Sequence, residues 1–179
     1  TMGNGIAHVF AQNGFETTLY DLNESQLQKA KATILKNLDR LLLKGKVSEE
    51  LKLKTLGRLQ FTTQANLAFK QADLIIEAAT ENFEIKKKIF NDVMPIAPSH
   101  CVFATNTSSI SIDRLASKIP QPERLIGMHF FNPVPVMQLV EIIKGEKTAY
   151  EVTKKTEELT LKLNKTGVVV NDAPGFISN

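Results

Sequence analysis

The sequence predicts a doubly wound α/β sheet, and three observations predict it. Short β-rich runs alternate with longer amphipathic ones along the chain, the pattern of strands joined by crossover helices. The runs Leu74–Glu77 and Val102–Thr105 are apolar rather than alternating, as strands buried on both faces are. No internal repeat, low-complexity tract or long Gly/Ser linker interrupts this order.

Ile6–Gln12 reads as a helix stopped by Asn13-Gly14, because glycine enters the left-handed conformation that ends a helix. Glu16–Tyr20 is a strand, followed by Asp21. A helix starts at Asn23, whose side chain caps while Gln26 reaches back from the third position. Leu27, Ala30, Ile34, Leu38 and Leu41 then recur on one helical face up to Gly45. A second helix spans Ser48–Leu56, and the two make a helical arm inserted after the strand that ends at Tyr20. Strands follow at Leu59–Thr62 and Leu74–Glu77, then a helix at Phe83–Val93 ended by Pro95. The strand Val102–Thr105 runs into Asn106-Thr107-Ser108-Ser109. Leu125–His129 and Met137–Ile143 are strands flanking a proline-rich segment. Thr148 with Glu151 makes a capping box for a helix to about Leu163. Gly167–Val170 is the last strand of a domain spanning residues 1–171, and residues 172–179 read as a linker entering a new helix.

At 179 residues the chain is long enough to bury one sizeable core. Its 22 Lys and Arg against 19 Asp and Glu leave a charge of +3, too small to argue for nucleic acid yet compatible with a local basic patch for an anionic ligand. The single cysteine, Cys101, excludes an internal disulfide framework and suits a reducing compartment. No apolar run approaches the ~20 residues of a membrane span. Neither a nucleic-acid nor a membrane partner is expected, and no metal.

A dinucleotide-binding fold needs G-x-G-x-x-G between its first strand and first helix, where bare backbone meets the pyrophosphate. Here Gly3 stands in the third glycine's place with Gly5 behind it; alone, the two equally suit a glycine-tolerant helix start. Asp21 follows the next strand at about the distance, ~20 residues on, of the acid that accepts hydrogen bonds from an adenosine ribose. An acid there repels a 2′-phosphate, which favours NAD over NADP; the alternative is a solvated loop aspartate. Since the strand before such a glycine loop lies at the sheet centre, the chain is expected to lack its first strand and to be an internal portion of a longer one.

The stretch His129-Phe-Phe-Asn-Pro-Val-Pro-Val-Met-Gln-Leu-Val-Glu141 holds a histidine and a glutamate around two prolines. Pro133 and Pro135 cannot donate to a sheet ladder, so the strand breaks between them. If the chain folds back about Pro135, paired residue numbers sum to 270 and His129 faces Glu141. Paired positions lie ~5 Å apart in Cβ, within reach of a carboxylate–imidazole hydrogen bond. A glutamate in an apolar run is costly to bury unpaired. Such a pair suits a general base, since the carboxylate fixes the tautomer, or a purely structural buried pair.

The segments TMGNGIAHVFAQNG, ATENFEIKKKIF, ATNTSSISI, GMHFFNPVPVMQLVEII and NDAPGFISN resemble the 3-hydroxyacyl-CoA dehydrogenase family, short-chain members included, in the family's order and across essentially the whole chain. The resemblance implies a Rossmann-like NAD domain and interconversion of (S)-3-hydroxyacyl-CoA with 3-oxoacyl-CoA. It implies His129 as general base, Glu141 as the acid that orients it, Ser108 beside the reacting oxygen or the cofactor carboxamide, and Asn179 and Asn132 near the substrate oxygens. Gly3 and Asp21 match the cofactor's pyrophosphate and ribose ends. Glu81, Lys86, Asn106 and Ser108 match its nicotinamide end. Lys44 and Lys46, with Arg40, sit at the tip of the helical arm, which the family lays over CoA; a solvated helix face is the other reading. Ser108 and Asn106 also suit a turn, Glu81 a first helical turn, and Asn179 a helix cap. His8 and His100 have no evident partner and read as structural.

The family also implies a following helical domain, missing from this chain, that closes the acyl-CoA groove and carries a homodimer interface. The compartment implied is bacterial cytoplasm, with the mitochondrial matrix as the alternative. Two other function classes compete: a related hydroxyacid or sugar-acid dehydrogenase, and a non-catalytic dinucleotide-binding protein. His129, Glu141, Ser108 and Asn179 together speak against the latter, because a binder needs no such set.

Overall fold

The computed structural model of the chain describes residues 2–172. It is a Rossmann-type α/β arrangement that divides into two compact units. One unit runs through Ala68 and includes Asn132–Val136; the other runs Phe69–Phe131 and resumes at Met137.

The first unit holds α1 (Met2–Gln12), β1 (Thr17–Tyr20), α2 (Glu24–Leu43), α3 (Glu49–Gly57), β2 (Leu59–Thr62) and α4 (Ala65–Phe69), whose last residue falls in the second unit. α1 begins earlier than its apolar spacing predicts and buries Ile6, Ala7, Val9, Phe10 and Ala11. Asn13-Gly14 ends it as expected: Gly14 has φ 100°, and Phe15 N–H donates to the Phe10 carbonyl at 3.1 Å. The Arg58 guanidinium donates to the Ala11 carbonyl at 3.2 Å, placing a cation on the negative end of the helix. His8 does have a partner, Gln12, whose Oε1 lies 3.0 Å from Nε2. Burial lowers the His8 pKa, outweighing that hydrogen bond, and keeps the ring neutral.

β1 and β2 pair in parallel, Thr17 against Leu59 through Tyr20 against Thr62, so α2 and α3 form the expected helical arm between two strands. α2 buries Leu27, Ala30, Ile34 and Leu38, while Leu41 is only half-buried near the end of the helix. Its N-terminus differs from the expected capping box. The Asn23 side chain does cap, accepting from Ser25 N–H at 2.9 Å. The Asn23 N–H, however, goes to Asp21 Oδ1 at 2.8 Å rather than to Gln26. The aspartate reaches it across two residues, a shorter path than a glutamine folding back over a helical turn. Gly45, with φ 64°, turns the chain out of α2, and Lys52 of α3 returns to Asp39 of α2 at 2.9 Å.

The second unit is a five-stranded sheet in the order β3 (Leu74–Glu77), β4 (Val102–Thr105), β5 (Leu125–Phe130), β6 (Leu139–Lys144), β7 (Thr166–Asn171). All pairs are parallel except β5 with β6. Its helices are α5 (Phe83–Val93), α6 (Ile112–Ala116) and α7 (Tyr150–Lys162), with a 3-10 turn at Pro122–Arg124. β4 and β5 are buried at every residue, the result of apolar side chains on both faces and a neighbour on each side. β3 departs from that expectation: as the edge strand only its last residue, Glu77, is fully buried. α4, α6 and the 3-10 turn are too short for helical periodicity to show. The Thr148–Glu151 capping box does not form. Thr148 Oγ1 donates instead to the Leu125 carbonyl at 2.7 Å, and α7 starts after Ala149 with no side-chain cap. A long-range bond to β5 outcompetes the local one.

β5 approaches β6 closely at Gly127, where an added Cβ meets Ile143 Cβ at 2.8 Å and Ile112 Cδ1 at 3.1 Å. Gly127→Ala is therefore expected to destabilise the protein by about 1–3 kcal/mol through overpacking, read as a lowered urea midpoint. The same strain falls two residues from His129, on the same face of β5.

Candidate active site

The hairpin arithmetic holds: His129 pairs with Glu141 across the antiparallel β5–β6 ladder. Their side chains meet, His129 Nδ1 lying 2.8 Å from Glu141 Oε2. Both are buried, the side chains being 11% and 1% exposed, so this is a charge-capable pair removed from water. The Phe131 ring sits 4.5 Å from the imidazole, tilted by 47°. Glu141 Oε1 is buried without a hydrogen-bond partner among the described residues, so Oε2 carries the contact to the ring.

A second constellation lies where β3 and β4 end. Glu81 Oε1 accepts from the N–H groups of Ser108 at 3.1 Å and Ser109 at 3.2 Å, and from Ser109 Oγ at 3.0 Å. The Thr107 hydroxyl also donates to it. The Lys86 ammonium, 1% exposed, lies 3.4 Å from Glu81 Oε2. Asn106 Oδ1 accepts from Phe130 N–H at 2.8 Å, tying this loop to the strand that carries His129. Ser108, Glu81 and Lys86 are therefore joined by hydrogen bonds and an ion pair, while Asn106, whose N–H donates to the Glu77 carbonyl at 2.8 Å, links the same loop to β3 and β5.

Burial pushes the Glu81 pKa up, but the Thr107 hydrogen bond, the Lys86 charge and the Ser109 and Ser108 donors together hold it below its ordinary 4.5. A depressed carboxylate contributes stability that is present above its unfolded value and is lost as pH falls through the folded one. The amide resonances of Ser108 and Ser109 should titrate with a midpoint below the ordinary 4.5 of a glutamate.

Sequence reasoning missed Glu77, Thr105, Thr107 and Ser109. Glu77 Oε2 accepts from Lys86 Nζ at 2.7 Å and from Thr105 Oγ1 at 2.7 Å, and its Oε1 from Ala79 N–H at 2.7 Å. The available signal was an acid ending the apolar run Leu-Ile-Ile-Glu77, of the same kind as Glu141 in its own run. Cys101 is buried, which pushes its thiol up to about 11, so it is no nucleophile. His100, read without a partner, meets Asp73 at 2.9 Å on the surface.

The remaining candidates, Asn179 apart, lie in the first unit. Gly3 is in the first turn of α1, and Asp21 stands half-buried directly after β1. Asp21 is oriented by its bond to Asn23 N–H, and as an ionised carboxylate it has further acceptor capacity. An acceptor-only group at the end of a parallel strand fits the ribose of NAD, and the helix start with a side-chain-free Gly3 fits its pyrophosphate. Asn132 is exposed, as are Arg40, Lys44 and Lys46 at the end of α2. Asn179 lies outside the described residues.

Residues 1–173 match the family described as 3-hydroxyacyl-CoA dehydrogenase, NAD binding domain. A probable 3-hydroxybutyryl-CoA dehydrogenase of Deinococcus radiodurans is 43% identical over 99% of this chain and 63% of its own length. The 3-hydroxyadipyl-CoA dehydrogenase of Escherichia coli is 44% identical over 100% of the chain and 38% of its own length. Among solved structures, (S)-3-hydroxybutyryl-CoA dehydrogenase PaaH1 from Ralstonia eutropha superposes with a TM-score of 0.95 at 41% identity, covering 100% of this chain and 63% of that one. The chain thus spans less than two thirds of each of these relatives. It belongs to the 3-hydroxyacyl-CoA dehydrogenase family, as that family's NAD-binding domain.

Proposed function

We propose that the protein carrying this chain oxidises (S)-3-hydroxyacyl-CoA to 3-oxoacyl-CoA, or runs the reverse, with His129 as general base. The buried His129–Glu141 pair at 2.8 Å is the observation that carries this reading. NAD held by Gly3 and Asp21 would supply the hydride acceptor for C3 of the alcohol. His129 takes the hydroxyl proton: with Nδ1–H donating to Glu141, the basic lone pair sits on Nε2. In the reverse direction the same nitrogen returns the proton. Glu141 holds the ring's orientation, and its charge stabilises the imidazolium formed during the step.

Ser108 holds the reacting oxygen, aided by Asn132 and Asn179, while Asp21 and Gly3 serve the ribose and pyrophosphate. Glu81, Lys86 and Asn106 shape the nicotinamide end. Lys44 and Lys46 attract the phosphates of CoA as exposed cations. The full protein is a bacterial cytoplasmic enzyme and a homodimer.

The test is NAD+ reduction by the complete gene product offered (S)- and (R)-3-hydroxybutyryl-CoA and free 3-hydroxybutyrate separately. Turnover of the (S) thioester alone is expected. Turnover of the free acid, with the thioesters inert, would transfer the protein to the hydroxyacid dehydrogenases.

A further inference from the structure

We propose that Glu77 is a positioning residue: it aims the buried Lys86 ammonium at Glu81 and so fixes the backbone that presents Ser108. This rests on the reading of Ser108 given above. Glu77 ends β3 directly beside Thr105 of β4, and both its carboxylate oxygens are used, by Lys86, Thr105 and Ala79. The Glu77 and Lys86 side chains are each 1% exposed. Lys86 then spans to Glu81 at 3.4 Å, and Glu81 gathers the N–H groups of Ser108 and Ser109. A chain of three alternating charges thus runs from the end of β3 to the loop after β4.

Stability alone gives little reason for such a chain. Replacing a buried ion pair with apolar groups of like volume is often neutral or stabilising, whereas removing one partner is strongly destabilising. What the pair supplies is direction. Glu77 is locked by two strand ends, so the ammonium it holds has a fixed position. That ammonium contacts one oxygen of Glu81 and leaves the other for the loop amides. Without Glu77 the lysine charge falls wholly on Glu81, and the carboxylate is drawn from the amides toward it.

This separates two roles by experiment, using the protein from its complete gene. The variants are Glu77→Gln and Thr105→Val, both of which keep Lys86. If Glu77 only neutralises Lys86, Glu77→Gln lowers Tm with kcat/KM unchanged, and Thr105→Val, which removes one donor to Glu77 and keeps every charge, changes neither. If Glu77 positions, folded Glu77→Gln loses about tenfold or more in kcat/KM, as small misplacements of reacting groups cost, and Thr105→Val loses severalfold with little change in Tm. Wild-type kcat/KM in folded Glu77→Gln overturns the proposal; should that variant fail to fold, unchanged kcat/KM in Thr105→Val overturns it. If wild type turns over no thioester, the functional reading fails by itself. The same comparison is then made on NADH dissociation constants, with weakened binding expected in both variants and wild-type binding overturning the proposal.

Discussion

His129→Gln lowers kcat for NAD+ reduction by about 10²–10⁴-fold, the range over which a positioned general base acts, and leaves NADH affinity unchanged. Glutamine is the better probe than alanine here. Glu141 is 1% exposed, and truncation to alanine would leave its carboxylate buried without its partner, at about 3–5 kcal/mol. An amide in place of the ring can still donate toward Glu141 Oε2. Stopped-flow hydride transfer from (S)-3-hydroxybutyryl-CoA, beside a fluorescence titration with NADH, separates lost chemistry from lost binding. Equal loss in both would make His129 a structural residue of the cofactor domain.

Glu141→Gln lowers kcat by about 10²-fold, less than the loss of the base itself, because the imidazole remains while its negative partner is removed. The cost in stability is small by comparison with His129→Ala, since the residue left behind is a ring that can be neutral. The predicted signature is therefore a large fall in kcat with a Tm close to wild type. A folded Glu141→Gln protein with wild-type kcat would reduce the pair to packing.

The parts of this site legible in the sequence were those fixed by local chemistry. Two prolines break the chain between β5 and β6, and a fold-back about Pro135 sets His129 opposite Glu141, the register the sheet adopts. The buried face of α2 followed from its spacing, and Asn13-Gly14 marked the end of α1. The illegible parts depend on competition between near and distant partners. Thr148 had a local helix to cap and a β5 carbonyl to meet, and the distant bond won. Asn23 N–H had Gln26 or Asp21, and the shorter reach won. The group around Glu81 joins β3, α5 and the loop after β4, and no spacing rule connects residues from three elements. The family resemblance had grouped Glu81, Lys86, Asn106 and Ser108, whereas for Glu77 the signal was its chemical oddity, an acid closing an apolar strand.

The central claim is that His129 and Glu141 act as one proton-transfer unit. A double-mutant cycle on kcat/KM with His129→Gln and Glu141→Gln tests it most directly. If the two work together, Glu141→Gln costs about 10²-fold only while His129 is present, and nothing further once His129 is glutamine. Losses that simply multiply in the double variant would contradict the claim, and would leave the 2.8 Å contact as a structural bond between two neighbouring strands.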